Sequence, residues 1–170
     1  MKKIFVALQL LLAVSILSSC STMVINTQKF NIGKNDVYAV FPFNNYTETP
    51  YAGLRVASIL DGILLSRNYH VINNIQEFKN NGYGNKSGLK KMLRKAKKEG
   101  AEYLIVGNVN EFRYKTGIEG EPAVSVNIFI YSSSYGKLIW SGVGSATVAS
   151  GLSDQSMTTL IQSVLNKMVN

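Results

Sequence analysis

Few residues in this chain of 170 have types and spacings that could do chemistry. Cys20 is the single thiol and His70 the single histidine. A metal site needs several imidazole, thiolate or carboxylate ligands converging on one point, and neither residue has a second Cys or His beside it. A Ser-His-Asp triad would have to use His70, yet no serine sits in a nucleophile-elbow pattern. Glu119 and Glu121 flank Gly120 and read as solvated loop charges rather than a general acid and base. Gly82, Gly84 and Gly88 make a glycine-rich loop, but the Gly-Lys-Ser/Thr ending of a phosphate-binding loop is missing. No catalytic, cofactor or metal site is specified, and the expectation is a protein that is not an enzyme.

The pronounced chemical feature is basic. Lys86, Lys90, Lys91, Arg94, Lys95, Lys97 and Lys98 crowd into one short stretch. On a helix they would form a solvated face opposite Leu89, Met92, Leu93 and Ala96, which is the commoner use of such a run. The sharper alternative is that Lys90, Lys91, Arg94 and Lys95 contact anionic head groups or an acidic partner, each charge near an anionic membrane being worth ~1 kcal/mol. Phe129, Tyr131 and Trp140 could make an aromatic interaction patch, although such residues more often pair across strands or fill a core.

The N-terminus says where this chemistry would operate. Lys2 and Lys3 precede an apolar run from Ile4 to Leu17 broken only by Gln9 and Ser15, the layout of a secretory signal peptide. The run is shorter than the ~20 residues a spanning helix needs. Leu17-Ser18-Ser19-Cys20 resembles the bacterial lipobox, in which small residues precede a cysteine. The resemblance implies diacylglycerol transfer to the Cys20 sulfur, cleavage just before it, and acylation of the new amine. Sulfur is the nucleophile for that transfer, and two or three acyl chains anchor stably at ~0.8 kcal/mol per buried methylene. Ser21 is not acidic, which in the enteric sorting logic permits transfer to the outer membrane, so a protein lipid-anchored on the periplasmic face of the outer membrane is expected, with inner-membrane retention the alternative. Removing residues 1–19 takes two of the 18 basic residues, leaving 16 against 10 acidic and a charge of +6. Such a charge on a cytoplasmic protein would raise nucleic acid as a partner; export removes it. With no second cysteine, disulfides cannot contribute and stability must come from the core.

Hydrophobic periodicity supplies the elements. The chain has 46% hydrophobic and 16% charged residues, which places it among globular proteins and at one domain. Residues 20–35 read as the lipidated cysteine and a short tether, with the domain spanning 36–170. Val37–Phe43 is apolar on both faces and suits a buried strand. A helix follows over 51–67 with Leu54, Ala57, Ile59, Leu60, Ile63 and Leu64 inward, then a strand at 69–73. Ser87 is a plausible N-cap for the basic helix, which Gly100 ends. Three extended runs occupy 102–116, 123–134 and 136–150, the last two joined by a tight turn at Tyr135-Gly136. From about Ser153 a closing helix presents Met157, Leu160, Ile161, Val164, Leu165 and Met168. The expected fold is α/β (α+β), a single mixed sheet in the order β-α-β-α-β-β-β-α with helices packed on it.

Three segments in this order carry a resemblance. "YAVFPFNNYT", "GAEYLIVGNVNEFRYKTG" and "GKLIWSGVGS" resemble the opening strand and loop, the central strand and the last hairpin of the superfamily that holds the curli channel CsgG, the penicillin-binding-protein activator LpoB and the TolB N-terminal domain. With the helices between, the resemblance covers most of residues 37–169. It implies an α/β domain that binds envelope proteins and catalyses nothing. Curli-type channels insert long hairpins, whereas here "GIEGEP" at 117–122 joins two strands directly; LpoB-type activators use a long Pro-rich arm, whereas residues 21–35 contain no proline. The reading that remains is an interaction or assembly subunit of a secretion, flagellar or surface-structure apparatus, self-association included. A peptidoglycan-synthase activator and a secretion-ring component are the alternatives. Substituting Cys20→Ala is expected to abolish incorporation of labelled palmitate and to move the protein from the membrane to the soluble fraction; an alanine variant that stays in the membrane fraction would mean a different anchor.

Overall fold

The computed structural model describes residues 21–27, 29, 33–76, 82–114, 121–148 and 156–170. Among them, seven strands form one mixed sheet: β1 (Ser21–Thr27), β2 (Val37–Val40), β3 (Asn44–Asn45), β4 (His70–Asn73), β5 (Tyr103–Arg113), β6 (Ala123–Ser132) and β7 (Leu138–Val148). Three helices pack on it: α1 (Ala52–Ser66), α2 (Lys86–Lys98) and α3 (Met157–Met168). The strand order is β1-β7-β6-β5-β2-β4, with β3 beside β5. Pairing is parallel from β4 through β2 to β5 and antiparallel from β5 through β6 and β7 to β1.

This topology decides where the helices go. Parallel neighbours need crossovers, and α1 joins β2 to β4 while α2 returns the chain from β4 to β5 on the other side of β2. Right-handed crossovers running in opposite directions put their helices on opposite faces. So α1, joined by α3, packs on one face against Val40, Ile105, Val126, Ile128, Ile130 and Trp140. Alone on the other face, α2 sets Met92 and Ala96 on Ala39, Phe41, Leu104 and Val106. All six apolar positions expected of α3 are buried, and so are Val124, Val126, Ile128 and Ile130 of β6.

Four details differ from the sequence reading. Residues 21–27, expected in a tether, form β1, an antiparallel edge strand pairing Ser21 with Val148 and Thr27 with Gly142. Its alternating Met23 and Ile25 pack on the core, a period that is hard to see in a polar segment of seven residues. The first strand stops at Val40, because Pro42 has no N–H to give a ladder. The basic helix is capped by Asn85, whose side chain accepts from the Ser87 and Gly88 amides at 3.0 and 3.1 Å; Asn serves the N-cap as well as Ser does. At its other end Gly100, with φ +82°, turns the chain so that the Ala101 amide reaches the Ala96 carbonyl at 2.9 Å. Finally, α3 is capped by Ser156, which accepts from the Thr159 amide at 3.2 Å; Ser153 lies outside the described residues.

Helix α3 comes close to the sheet because β7 has no side chain at Gly144. A Cβ there would stand 2.6 Å from both Met168 Sδ and Val164 Cγ1. Gly144→Ala should therefore overpack the interface and cost about 1–3 kcal/mol in urea unfolding. Gly62, exposed in the middle of α1 with nothing within 4 Å of its Cβ position, supplies the contrast: Gly62→Ala should stabilise by about 0.5–1 kcal/mol. Equal effects of the two substitutions would contradict this packing.

Candidate interaction surfaces

The residues considered for catalysis do not assemble. His70 is exposed at the start of edge strand β4. Among the described residues no three His, Cys, Asp or Glu side chains gather as metal ligands. Glu121 is exposed, while Glu119 and Cys20 lie outside the described residues.

The glycine-rich loop has a structural use. Asn44, 5% exposed, accepts from the Gly84 amide at 2.9 Å and donates to Asn108 Oδ1 at 3.0 Å. Tyr83 donates its hydroxyl to the same Asn108 oxygen at 2.9 Å. A Cβ on Gly82 would stand 2.4 Å from the Asn44 amide nitrogen. The loop before α2 is thus clamped onto β3 and β5 by one buried amide network, and its glycines permit close approach of backbones. Burial pushes the Tyr83 hydroxyl above its ordinary pKa, against the opposing hydrogen bonds of Asn108 and Asn44.

The basic helix is divided by its partners. Lys90, Lys91 and Arg94 are exposed. Lys95 is half-buried and paired with Glu99 at 2.6 Å. Burial opposes the charge on Glu99, but hydrogen bonds from Lys95 and from Asn74 outweigh it and hold that carboxyl below its usual range. Lys90 and Arg94 share a groove with Lys97 instead. The three aromatic residues do not form a patch: Phe129 and Tyr131 are half-buried under α2, and Trp140 is buried on the opposite face among the α1 and α3 contacts. The pleat separates them, because Trp140 stands opposite Ile130 in the β6–β7 ladder, not opposite Phe129 or Tyr131.

Among the described residues, α2 is the helix on the second face of the sheet, and nothing described covers that face beyond it. Rows of short polar side chains cross it, pairing Ser125 with Ser145, Asn127 with Val143, and Thr147 with Thr22, whose hydroxyls meet at 2.7 Å. Val24 is 65% exposed there and Val143 41%. Both ends of the sheet are edges, β1 at one and β4 at the other. Between α1 and α3 a cleft of about 750 Å³ is lined by Leu54, Ile59, Phe112, Met157 and Ile161, with Arg55 donating to the Tyr114 hydroxyl at its rim.

Comparison with known proteins follows from this fold. No family model matches the chain, and no curated relative matches it. Among solved structures it is similar to the PelC dodecamer from Paraburkholderia phytofirmans, with 28% identity, 88% of this chain and 95% of that one covered, and a TM-score of 0.69. It is also similar to lipoprotein GNA1162 from Neisseria meningitidis, at 16% identity, 78% and 96% coverage and a TM-score of 0.58. The C-terminal domain of LpoB from Salmonella enterica aligns at 17% identity over 69% of this chain and 87% of that one, with a TM-score of 0.50. The chain shares its fold with the PelC subunit, with a bacterial lipoprotein and with the LpoB domain. The last two likenesses speak to the fold alone, and LpoB is one of the proteins named by the sequence resemblance.

Asp61 was not singled out from the sequence. It is 8% exposed on the inner side of α1, where Asn73 of β4 donates to its Oδ2 at 2.8 Å and its Oδ1 has no partner among the described residues. A signal existed: Asp61 follows Leu60 and lies four residues after Ala57, inside the apolar stripe. Burial raises its pKa, against the lowering effect of the Asn73 hydrogen bond. With a raised native pKa, stability is fully present below the ordinary value of 3.8 and is lost as pH climbs from there through the native value. Asp61→Asn should therefore melt at a higher temperature than wild type near pH 7, at about the pH where carboxylates are normally ionised, and the gap should close as pH falls toward 3.8. Thermal melts across pH check this, and a gap independent of pH would exclude ionisation as the cause.

Proposed function

We propose that this protein is a non-catalytic subunit of an envelope assembly, anchored through Cys20 at the periplasmic face of the outer membrane, and that identical copies of it close into a ring. One observation carries the reading: the likeness at 28% identity, over 88% of this chain and 95% of the other, to a protein whose structure is a dodecamer. A ring needs a head-to-tail contact between two different surfaces. Edge strands β1 and β4, at opposite ends of one sheet, offer such surfaces, since unpaired strand edges are templates for pairing with another chain.

The start of β1 at Ser21 supports an assembly lying on the membrane. A lipid on Cys20 would leave no linker before the sheet, so the domain would sit against the bilayer. A synthase activator reaching across the periplasm would need an arm that residues 21–27 cannot provide while paired with β7. Secretion, flagellar or surface-structure machinery is the setting that fits a short-reach subunit. Light scattering after gel filtration of the natively lipidated protein in mild detergent is expected to give one uniform oligomer of many copies. A monomer at all concentrations would overturn the ring and leave an adaptor or activator.

A further inference from the structure

Helix α2 and the β6–β7 turn border a shallow, open groove of about 370 Å³, with Lys and Arg side chains on one wall and Ser and Tyr residues on the other. Lys90, Arg94 and Lys97 form the first wall. Their i, i+4, i+7 spacing stacks them along one stripe of the helix. Ser133, Ser134, Tyr135 and Gly136 form the second. The turn is held against the helix at Gly136, whose φ is +65° and whose Cβ position lies 3.5 Å from Leu93 Cδ1. No carboxylate lines the groove, and among the described residues none of its three cations takes part in an ion pair.

Two features are hard to account for as solvated surface. Stacked like charges repel along a helix. The helix dipole favours cations only in the last turn, which covers Lys97 but neither Lys90 nor Arg94. The other feature is Ser133, 5% exposed, whose Oγ has no hydrogen-bond partner among the described residues. Its amide is already committed to the Glu102 carbonyl at 2.9 Å, so the hydroxyl is the group left over. Buried polar atoms are normally paired. Three cations and a buried hydroxyl in want of an acceptor share one groove.

We propose that this groove binds a phosphate group. Arg94 would engage two of its oxygens through the guanidinium fork, Lys90 and Lys97 would neutralise its charge, and Ser133 would donate its hydroxyl. The phosphate can be carried by a lipid head group or by a soluble phosphorylated compound, and the site stands independently of the ring. Tyr135, 88% exposed at the rim, is positioned to cover whatever carries the phosphate.

The test uses the full-length lipidated protein in a non-ionic detergent, titrated with inorganic phosphate by calorimetry and, separately, with phosphatidylglycerol or phosphatidylcholine by native mass spectrometry. Wild type should bind inorganic phosphate saturably. Arg94→Gln should weaken binding about tenfold, in keeping with loss of a charge-assisted, bidentate contact, and Arg94→Gln with Lys97→Gln should abolish it. Ser133→Ala should weaken phosphate binding about fivefold while leaving Tm unchanged or raised, since it removes an unpaired buried hydroxyl. Retention of phosphatidylglycerol over phosphatidylcholine, lost in the double variant, would assign the phosphate to a lipid head group. Phosphate binding with no phospholipid retention that the double variant loses would assign it to a soluble compound. Absence of saturable phosphate and phosphatidylglycerol binding by wild type, or undiminished binding by the double variant, would overturn the site.

Discussion

A strand buried on both faces can satisfy its backbone only through its two neighbours, and β5 is that strand here. Its Ile105 and Val109 face α1 and α3, while its Leu104 and Val106 face α2. Its ladder is parallel to β2 and β3 on one side and antiparallel to β6 on the other. The change from crossover to hairpin connections therefore happens at β5. The helical layers follow from it, since both crossovers sit over its parallel side and α3 returns over its antiparallel side. The Asn44–Asn108–Tyr83 network is fastened to the same strand, so the loop that launches the basic helix is set by β5 as well.

The two faces are treated unequally. Among the described residues, two helices cover one face, while the other has a single helix over β2 and β5 and bears Ser, Thr and Asn side chains beyond it. Short polar side chains suit the water-facing side of an antiparallel sheet. Among the described residues β1 and β4 end the sheet, and the basic helix presents Lys90, Lys91 and Arg94 to solvent. Among the described residues, Asp61 beside β4 and Ser133 beside α2 each keep one side-chain oxygen without a hydrogen-bond partner.

Much of the fold is legible in the residues. The β6 alternation of Val124, Val126, Ile128 and Ile130 and the α3 stripe from Met157 to Met168 point to their buried faces because each repeats over several turns or pleats. Short or mixed signals are less legible. Strand β1 is polar on one side and ends the sheet, so its identity depends on pairing with β7, over a hundred residues away. Asn85 and Ser87 are equally good caps by composition, and only the position at which the clamped loop releases the chain selects Asn85.

The interaction surfaces divide the same way. By itself the sequence determined that disulfides contribute nothing to stability and that one short stretch concentrates positive charge, and its N-terminus resembles an export and lipidation signal. These are properties of contiguous residues, readable from type and spacing. Tertiary structure decided which of those charges converge: Lys95 turns to Glu99, while Lys90, Arg94 and Lys97 meet a turn some forty residues further on. It also put Trp140 in the core and left the Ser133 hydroxyl without a partner among the described residues. Contacts between segments distant in sequence depend on how the sheet is ordered, and that order is set by the burial of all the strands together rather than by any one of them.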